Sequence, residues 1–197
     1  NISSSDLVIE AVFEDLNLKH NLYKKIEPHL KEGAILASNT STLPITKLSE
    51  VLADSTRFLG IHFFSPVDKM NLVELIKSER TNDNALAVAL DYTSLIKKTP
   101  IVVNDSRGFY ANRCIIPYIN EGLRMLNEGI EPALIENSAK QIGMPVGPLQ
   151  LLDELSVSLA LNVAKETKEA LGTKYEETGT ESILLEMSQK NRLGRKE

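Results

Sequence analysis

The stretch DLVIEAVFEDLNLKHNLYKKIEPHLKEGAILAS (residues 6–38) decides the fold expected for this chain. It opens with a short apolar run, DLVIEAV, and closes with another, AILAS. Between the two runs, apolar residues recur at helical spacing, at Leu18, Leu22, Ile26 and Leu30. Short apolar runs are typical of buried strands, and a spacing of three to four residues is typical of a helix with one buried face. The stretch therefore predicts a strand over 6–12, a helix over 15–30 and a strand over 34–38.

Strands and helices continue to alternate as far as Asp105. The sequence predicts a short helix, two strands, a helix and a last strand over residues 45–53, 57–64, 71–78, 83–97 and 100–105. From Gly108 onward it predicts only helices, over residues 109–128, 132–142, 149–171 and 181–191. Alternating strands and helices form a parallel sheet that is covered on both faces. We therefore expect an α/β domain over residues 1–105 and an all-α domain over residues 106–197.

Composition narrows the classes of protein to consider. The 197 residues are 42% hydrophobic, and 22 basic against 27 acidic residues give a net charge of −5. The basic residues are spread along the helices, which argues against nucleic-acid binding. No apolar run approaches the roughly 20 residues of a membrane span, so we expect no membrane-spanning helix. The single cysteine, Cys114, lies in a helical pattern and is expected to be a small core residue. One cysteine cannot form an internal disulfide and gives no support to a metal site, which predicts that the protein resides in a reducing compartment.

Five polar residues, Ser38 to Thr42, directly follow the second predicted strand. The carboxyl ends of parallel strands border the crevice in which such sheets bind ligands. These side chains are therefore expected to face a ligand. An alternative stays open, in which Ser41 or Thr42 caps the helix that begins near Ile45.

A histidine and a glutamate are expected to face each other across the segment GIHFFSPVDKMNLVEL (60–75). The link between its two strands is shorter than the dozen residues that a parallel crossover requires, so the strands should be antiparallel neighbours. Symmetric pairing about this link places His62 opposite Glu74. A carboxylate that accepts the imidazole N–H fixes the tautomer and leaves the other nitrogen free as a base. The alternative is a histidine with a purely structural role.

The loop NDSRGFYANR (104–113) leads into the helical part and places Asn112 in the first turn of a helix. Taken alone, an asparagine at this position is expected to lie near the helix cap or on the surface, and the alternative is a functional role.

Together, these segments resemble the L-3-hydroxyacyl-CoA dehydrogenases of fatty-acid β-oxidation. The similar segments are SNTSTL, GIHFFSPV, LVELI, GFYANR and GMPVGPLQLLD, in the order of that family and over nearly the whole chain. The resemblance implies that residues 1–105 are the C-terminal part of a Rossmann-type NAD-binding domain and that residues 106–197 are the helical C-terminal domain. It also implies that His62 is the catalytic base, that Glu74 orients it, and that Ser41 and Asn112 surround the substrate oxygen. On the cofactor side it implies Glu14, Lys19, Ser41 and Ser65. For Glu14 and Lys19, the alternative is a solvated start of the first helix.

The function that the resemblance implies is NAD-dependent oxidation of an L-3-hydroxyacyl-CoA to the 3-ketoacyl-CoA. It further implies an acyl-CoA substrate, a homo-oligomer formed through the helical domain, and an enoyl-CoA hydratase module in the same parent chain. The implied location is the bacterial cytoplasm, or the mitochondrial matrix or peroxisome of a eukaryote. Two alternatives remain, namely another β-hydroxyacid or sugar-acid dehydrogenase, and a catalytically silent folding or dimerisation fragment.

The chain also departs from the family pattern. Ser65 stands where many single-function members carry asparagine, and LLDELSVS lacks the glycine and aspartate that many relatives have after LLD. None of the ten glycines forms the G-x-G-x-x-G turn that cradles the cofactor phosphates. We therefore expect a fragment that lacks the first βαβ unit and is cut at both ends, and that binds NAD weakly by itself.

Overall fold

The computed structural model describes residues 2–175 and 179–195. The chain divides into two compact units, residues 1–113 and 114–197, and each is described by itself. The expected domain boundary near Asp105 stays a prediction, because the two units meet within a helix that begins at Ala111.

The first unit is built on a five-stranded sheet in sequence order. Its strands are β1 (Leu7–Glu10), β2 (Ile35–Ser38), β3 (Phe58–Phe63), β4 (Leu72–Lys77) and β5 (Thr99–Asn104). β1, β2 and β3 pair in parallel, β4 is antiparallel to β3, and β5 is parallel to β4. The α/β fold and the antiparallel hairpin are therefore confirmed.

Helices cover both faces of this sheet. They are α1 (Leu16–Ile26), α2 (Ile45–Ser49) and α3 (Asp83–Leu95). On one face, Ala85 and Ala89 of α3 pack on buried side chains of the central strands. On the other face, Tyr23 of α1 and Ile45 and Leu48 of α2 pack in a second buried cluster, with Leu36, Phe58, Ile76 and Phe109. Since both faces are buried, the strands read as apolar runs rather than as alternating patterns.

Local chemistry sets the bounds of α1. The Asp15 carboxylate accepts a hydrogen bond from the Leu18 N–H and caps the first turn. The helix was expected to reach residue 30, but its α-helical part ends at Ile26 and a 3₁₀ turn, Glu27–His29, follows. Pro28 lies in that turn and has no N–H to continue the α-helical pattern.

The second unit contains most of α4 (Ala111–Asn127), together with α5 (Pro132–Gln141), α6 (Pro148–Leu155), α7 (Val157–Leu171) and α8 (Glu181–Gln189). Its core joins Ile119 and Leu123 of α4 to buried side chains of α6, α7 and α8. α4 and α6 are in close contact, since a Cβ on Gly122 would lie 2.5 Å from Cγ of Pro148. None of the helices in the described part of the chain is long and apolar enough to cross a membrane.

Two sequence predictions about this unit are wrong. The helix expected over 149–171 is two helices, because Ser156 has a φ of +103°, which no helical residue adopts. The Ser156 side chain instead accepts a hydrogen bond from the Leu159 N–H and caps α7. Cys114 is exposed rather than a core residue, because it lies outside the apolar face of α4 that carries Ile119 and Leu123.

Candidate active site

Polar side chains gather where β1, β2 and β3 end. Glu14 follows β1, the run Asn39 to Thr42 follows β2, and His62 lies one residue before the end of β3. These three strands are parallel, so their carboxyl ends lie along the same edge of the sheet. Ligands of α/β sheets bind outside such an edge.

His62 and Glu74 form a buried hydrogen-bonded pair. They are opposite each other in the β3–β4 ladder, which confirms the predicted register. Nδ1 of His62 lies 2.7 Å from Oε2 of Glu74, and the two side chains are 8% and 0% exposed. An ionised carboxylate only accepts hydrogen bonds, so Nδ1 carries a proton. The structure gives Nε2 of His62 no hydrogen-bond partner among the residues that it describes, so this nitrogen is available to take up a proton.

The second oxygen of Glu74 is held by backbone. Its Oε1 accepts hydrogen bonds from the N–H groups of Tyr110 at 3.0 Å and Ala111 at 2.8 Å, where α4 begins. Burial alone would raise the pKa of Glu74, but the hydrogen bonds from His62, Ala111 and Tyr110 outweigh it and lower this pKa below its ordinary value. Glu74 is therefore held as an anion beside the imidazole.

Two aromatic rings enclose the imidazole of His62. The ring centroid of Phe64 lies 4.5 Å from that of His62, and the centroid of Phe109 lies 6.1 Å away. Apolar rings beside the imidazole limit access of water to the His62–Glu74 pair.

The polar run after β2 surrounds the carboxylate of Glu14. Oε1 of Glu14 accepts hydrogen bonds from Thr40 Oγ1 at 2.6 Å, the Ser41 N–H at 2.9 Å and the Thr42 N–H at 3.0 Å. The Ser41 hydroxyl lies 3.4 Å from the same oxygen. Burial would raise the pKa of Glu14, but these hydrogen bonds and the charge of Lys19 lower it. The residue is thus kept ionised by a turn of hydroxyl and N–H donors.

The alternative reading of the run as a helix cap is wrong. The first N–H groups of α2, on Ile45 and Thr46, donate to the carboxylate of Asp105 at 2.9 and 2.8 Å. Asp105 lies 60 residues further along the chain from Ile45, so local pattern could not reveal it. Thr40 stabilises the turn by accepting a hydrogen bond from the Leu43 N–H, and Asn39 ties it to the end of β3 by accepting one from the Phe63 N–H.

Lys19 is buried, which contradicts the alternative of a solvated helix start. Its side chain is 1% exposed, and Nζ lies 2.5 Å from Glu10 Oε1 and 3.5 Å from Glu14 Oε2. Sequence reasoning missed Glu10, which also accepts hydrogen bonds from Tyr23 at 2.6 Å and Ser38 at 2.9 Å. The sequence does contain a signal for Glu10, which is an acidic residue inside the apolar run LVIEAV. Such a residue is expected to be buried, and a buried charge needs a charged or hydrogen-bonding partner.

The structure brings Asn112 to the same turn, whereas Ser65 makes no hydrogen bond to it among the residues that the structure describes. Nδ2 of Asn112 donates to the backbone oxygen of Ser41 at 3.0 Å, so these two residues and Glu14 are linked by hydrogen bonds. Ser65 is exposed in the link between β3 and β4, and the part of the chain that the structure describes gives it no hydrogen bond to any of them.

Known proteins match this chain along its length. Residues 1–106 match the family model described as "3-hydroxyacyl-CoA dehydrogenase, NAD binding domain", and residues 108–197 match the model of the C-terminal domain of the same family. The fatty acid oxidation complex subunit alpha of Idiomarina loihiensis is 44% identical over 172 residues, which cover 87% of this chain and 24% of that protein. The protein of the same name from Shewanella loihica is 39% identical over 97% of this chain and 27% of its own length.

A solved structure gives the same result. The (S)-3-hydroxybutyryl-CoA dehydrogenase PaaH1 of Ralstonia eutropha is 38% identical and has a TM-score of 0.90, with 99% of this chain and 69% of that chain covered. This chain spans about a quarter of the length of the curated relatives that it matches. Because two consecutive family models account for residues 1–106 and 108–197, the chain belongs to the 3-hydroxyacyl-CoA dehydrogenase family.

Proposed function

We propose that this chain carries the catalytic centre of an NAD-dependent oxidation of L-3-hydroxyacyl-CoA to 3-ketoacyl-CoA in fatty-acid β-oxidation. The observation that carries the proposal is the buried pair of His62 and Glu74. In this pair, Nδ1 of His62 is hydrogen-bonded to Glu74, and Nε2 has no hydrogen-bond partner among the residues that the structure describes. Membership of the family supports the same reaction. The name of the Idiomarina relative supports its place in fatty-acid oxidation.

In the proposed mechanism, Nε2 of His62 takes the proton of the substrate hydroxyl as the C3–H bond breaks. The imidazolium that forms is stabilised by the adjacent carboxylate of Glu74. When bound, NAD supplies the acceptor for the hydride that leaves C3. In the reverse reaction, the imidazolium returns the proton to the oxygen of the ketone.

Ser41 and Asn112 are the groups that we assign to the substrate oxygen. One N–H of the Asn112 amide donates to the backbone oxygen of Ser41, and an amide nitrogen carries a second N–H. The Ser41 hydroxyl lies 3.4 Å from Glu14, a long distance that leaves it free to turn toward another acceptor. Two donors directed at the oxygen would stabilise the charge that develops there.

The residues present fit part of an NAD site. Glu14, Lys19 and Ser41 lie at the carboxyl ends of β1 and β2 or next to them, where a parallel sheet binds a dinucleotide. The printed sequence has no G-x-G-x-x-G turn, so we do not assign pyrophosphate binding to these residues. We propose that Glu14 and Ser41 contact the cofactor on the side that faces the substrate and that Lys19, whose side chain is 1% exposed, contributes on that side by holding Glu14. Ser65, which is exposed, is the least supported member of the set.

The test replaces the proposed base in the chain expressed within its complete reading frame. His62→Gln should lower kcat by about 10²- to 10⁴-fold, with little change in acyl-CoA affinity. The exposed His29 gives a matched control, and His29→Gln should leave kcat unchanged. Formation of NADH from L-3-hydroxyacyl-CoA is the measurement. A His62→Gln variant within a few-fold of wild type would remove His62 from the mechanism.

The substrate class needs a separate measurement, because other β-hydroxyacid and sugar-acid dehydrogenases are the second candidates. The proposal predicts turnover of acyl-CoA thioesters and no turnover of the corresponding free hydroxy acids. Faster oxidation of the free acids would favour those other dehydrogenases.

We also propose three properties of the parent protein. The match to a subunit alpha of a fatty acid oxidation complex supports a hydratase module in the same parent chain. Exposed apolar residues on the helical unit, such as Leu134 and Ile142, support association with a second copy through these helices. Relatives from bacteria support a bacterial cytoplasmic location. Sedimentation of the purified protein tests the association, since a monomer at all concentrations would exclude it.

A further inference from the structure

The turn before α4 has an unusual backbone. Gly108 and Phe109 are consecutive residues with positive φ, +72° and +50°. Glycine adopts this conformation readily, whereas a phenylalanine in it is strained. The Phe109 N–H donates to the Ser106 oxygen at 3.0 Å, which closes the turn. Successive backbone N–H groups in a turn can create a concave site for an anion.

The anion at this site is the carboxylate of Glu74. The next two N–H groups, on Tyr110 and Ala111, both donate to its Oε1. Ala111 is also the first residue of α4, whose N-terminal end favours negative charge. The turn thus holds one oxygen of Glu74, while the other oxygen faces Nδ1 of His62.

Asn112 is fixed by the same turn. It is the second residue of α4, and its side chain reaches the backbone oxygen of Ser41. A Cβ on Gly108 would lie 3.4 Å from the Cβ of Asn112, which is ordinary van der Waals contact. Gly108 therefore serves the conformation of the turn, through its positive φ, rather than the space beside Asn112.

Burial of the Phe109 ring keeps the turn in this conformation. The residue is 2% exposed and belongs to the cluster that includes Tyr23, Phe58 and Ile76. Its ring also lies beside the imidazole of His62. Removing the ring removes the apolar contacts that offset the backbone strain, so the N–H groups of the following residues would no longer be directed at Glu74.

We propose that Phe109, together with Gly108, is a positioning residue that fixes Glu74 and Asn112 through a single backbone turn. The same turn then fixes the position of Glu74, which orients the base His62, and the position of Asn112, which we assign to the substrate oxygen. The inference rests on the roles proposed above for His62, Glu74 and Asn112.

A double-mutant cycle tests whether Phe109 acts through Glu74. In the chain within its complete reading frame, Phe109→Leu should lower kcat/KM about tenfold when Glu74 is present, and by a smaller factor of about threefold in a Glu74→Gln background, where only the effect through Asn112 remains. Equal losses in the two backgrounds would overturn the proposal, because a merely structural effect is independent of Glu74. If Phe109→Leu does not fold, Phe109→Met preserves the side-chain volume and takes its place in the same cycle.

Phe58→Leu is the matched control. Phe58 is a fully buried phenylalanine of the same cluster, and in the part of the chain that the structure describes it makes no hydrogen bond or ring contact with His62 or Glu74. It should lower thermal stability to a similar degree, yet change kcat/KM by the same small factor in both backgrounds. Suppose that the wild type is active, that His62→Gln abolishes this activity, and that Phe109→Leu has the same effect with and without Glu74. This result would refute the inference about Phe109 and leave the proposed function intact. A wild type inactive on acyl-CoA would refute the proposed function itself.

Discussion

Glu10 and Glu74 are both buried carboxylates of the same sheet, on β1 and β4, but their partners differ. Glu10 is bound by Lys19, Tyr23, Ser38 and the Val12 N–H. Glu74 is bound by two backbone N–H groups and by His62. Both oxygens of each carboxylate accept hydrogen bonds. The two sites therefore differ in whether the basic partner, Lys19 or His62, can exchange a proton.

The comparison separates a closed network from one that can exchange a proton. Nζ of Lys19 lies among Glu10, Glu14 and the Val12 oxygen and is almost fully buried. Burial raises the pKa of Tyr23, and its hydrogen bond to Glu10 raises it further, so its hydroxyl stays a donor. His62, by contrast, has a second ring nitrogen beyond its bond to Glu74, and this nitrogen can take up or release a proton. We infer that the network of Glu10 holds the structure and that the pair with Glu74 performs the chemistry.

The largest expected effect is on stability. Glu10→Gln removes the nearest anion from a buried lysine and should lower the free energy of unfolding by about 3–5 kcal/mol. The ion pair of Asp6 and Lys31 offers a matched control, since it has the same 2.5 Å separation but side chains that are 80% and 49% exposed. Asp6→Asn should cost at most about 1 kcal/mol. Denaturant unfolding measures both, and equal losses would show that burial does not distinguish the two pairs.

The next effect is on catalysis. Glu74→Gln preserves the shape but removes the charge that supports the imidazolium, so kcat/KM should fall by about 10- to 100-fold. Glu50→Gln, at an exposed position, is the control. A kcat/KM within about twofold of wild type would show that the observed pair does not act as a unit in turnover.

A smaller effect is expected at Tyr23. Tyr23→Phe removes one donor to Glu10 and leaves Ser38 bound to the same oxygen. The free energy of unfolding should fall by about 1.5 kcal/mol, the lower end for a hydrogen bond to a charged group. Turnover should stay unchanged if the network of Glu10 is structural. A large loss of kcat with normal stability would contradict that division of roles.

The smallest effect is a difference in acid sensitivity. The pKa of Glu74 is lowered from its ordinary value of 4.5 in the folded chain, so the unfolded chain binds more protons in the acidic range. The stability that this group contributes is present above about pH 4.5 and is lost as pH falls through the folded pKa. The stability gap between wild type and Glu74→Gln should therefore narrow on acidification. Unfolding midpoints over an acidic series measure it, and a constant gap would contradict the lowered pKa.

The sequence predicts what depends on local pattern. Apolar runs and helical spacing gave the βαβ unit, and the short link after β3 gave the register of His62 and Glu74. What it could not predict depends on distant contacts. Glu10 and Ser38, which form a hydrogen bond, are 28 residues apart in the sequence. Asp105, which caps α2, lies 60 residues from Ile45. The break at Ser156 has a different cause, because a positive φ at a non-glycine residue leaves no periodic signal.

The antiparallel direction of β4 also has a kinetic consequence. Glu74 lies only 12 residues from His62, whereas the N–H donors of Tyr110 and Ala111 lie 36 and 37 residues away. Closing a short loop loses less chain entropy than closing a long one, and hairpins form within microseconds. We expect the two side chains to meet early during folding of the chain, as part of a local hairpin, and the backbone donors to lock them later, when β5 has docked beside β4.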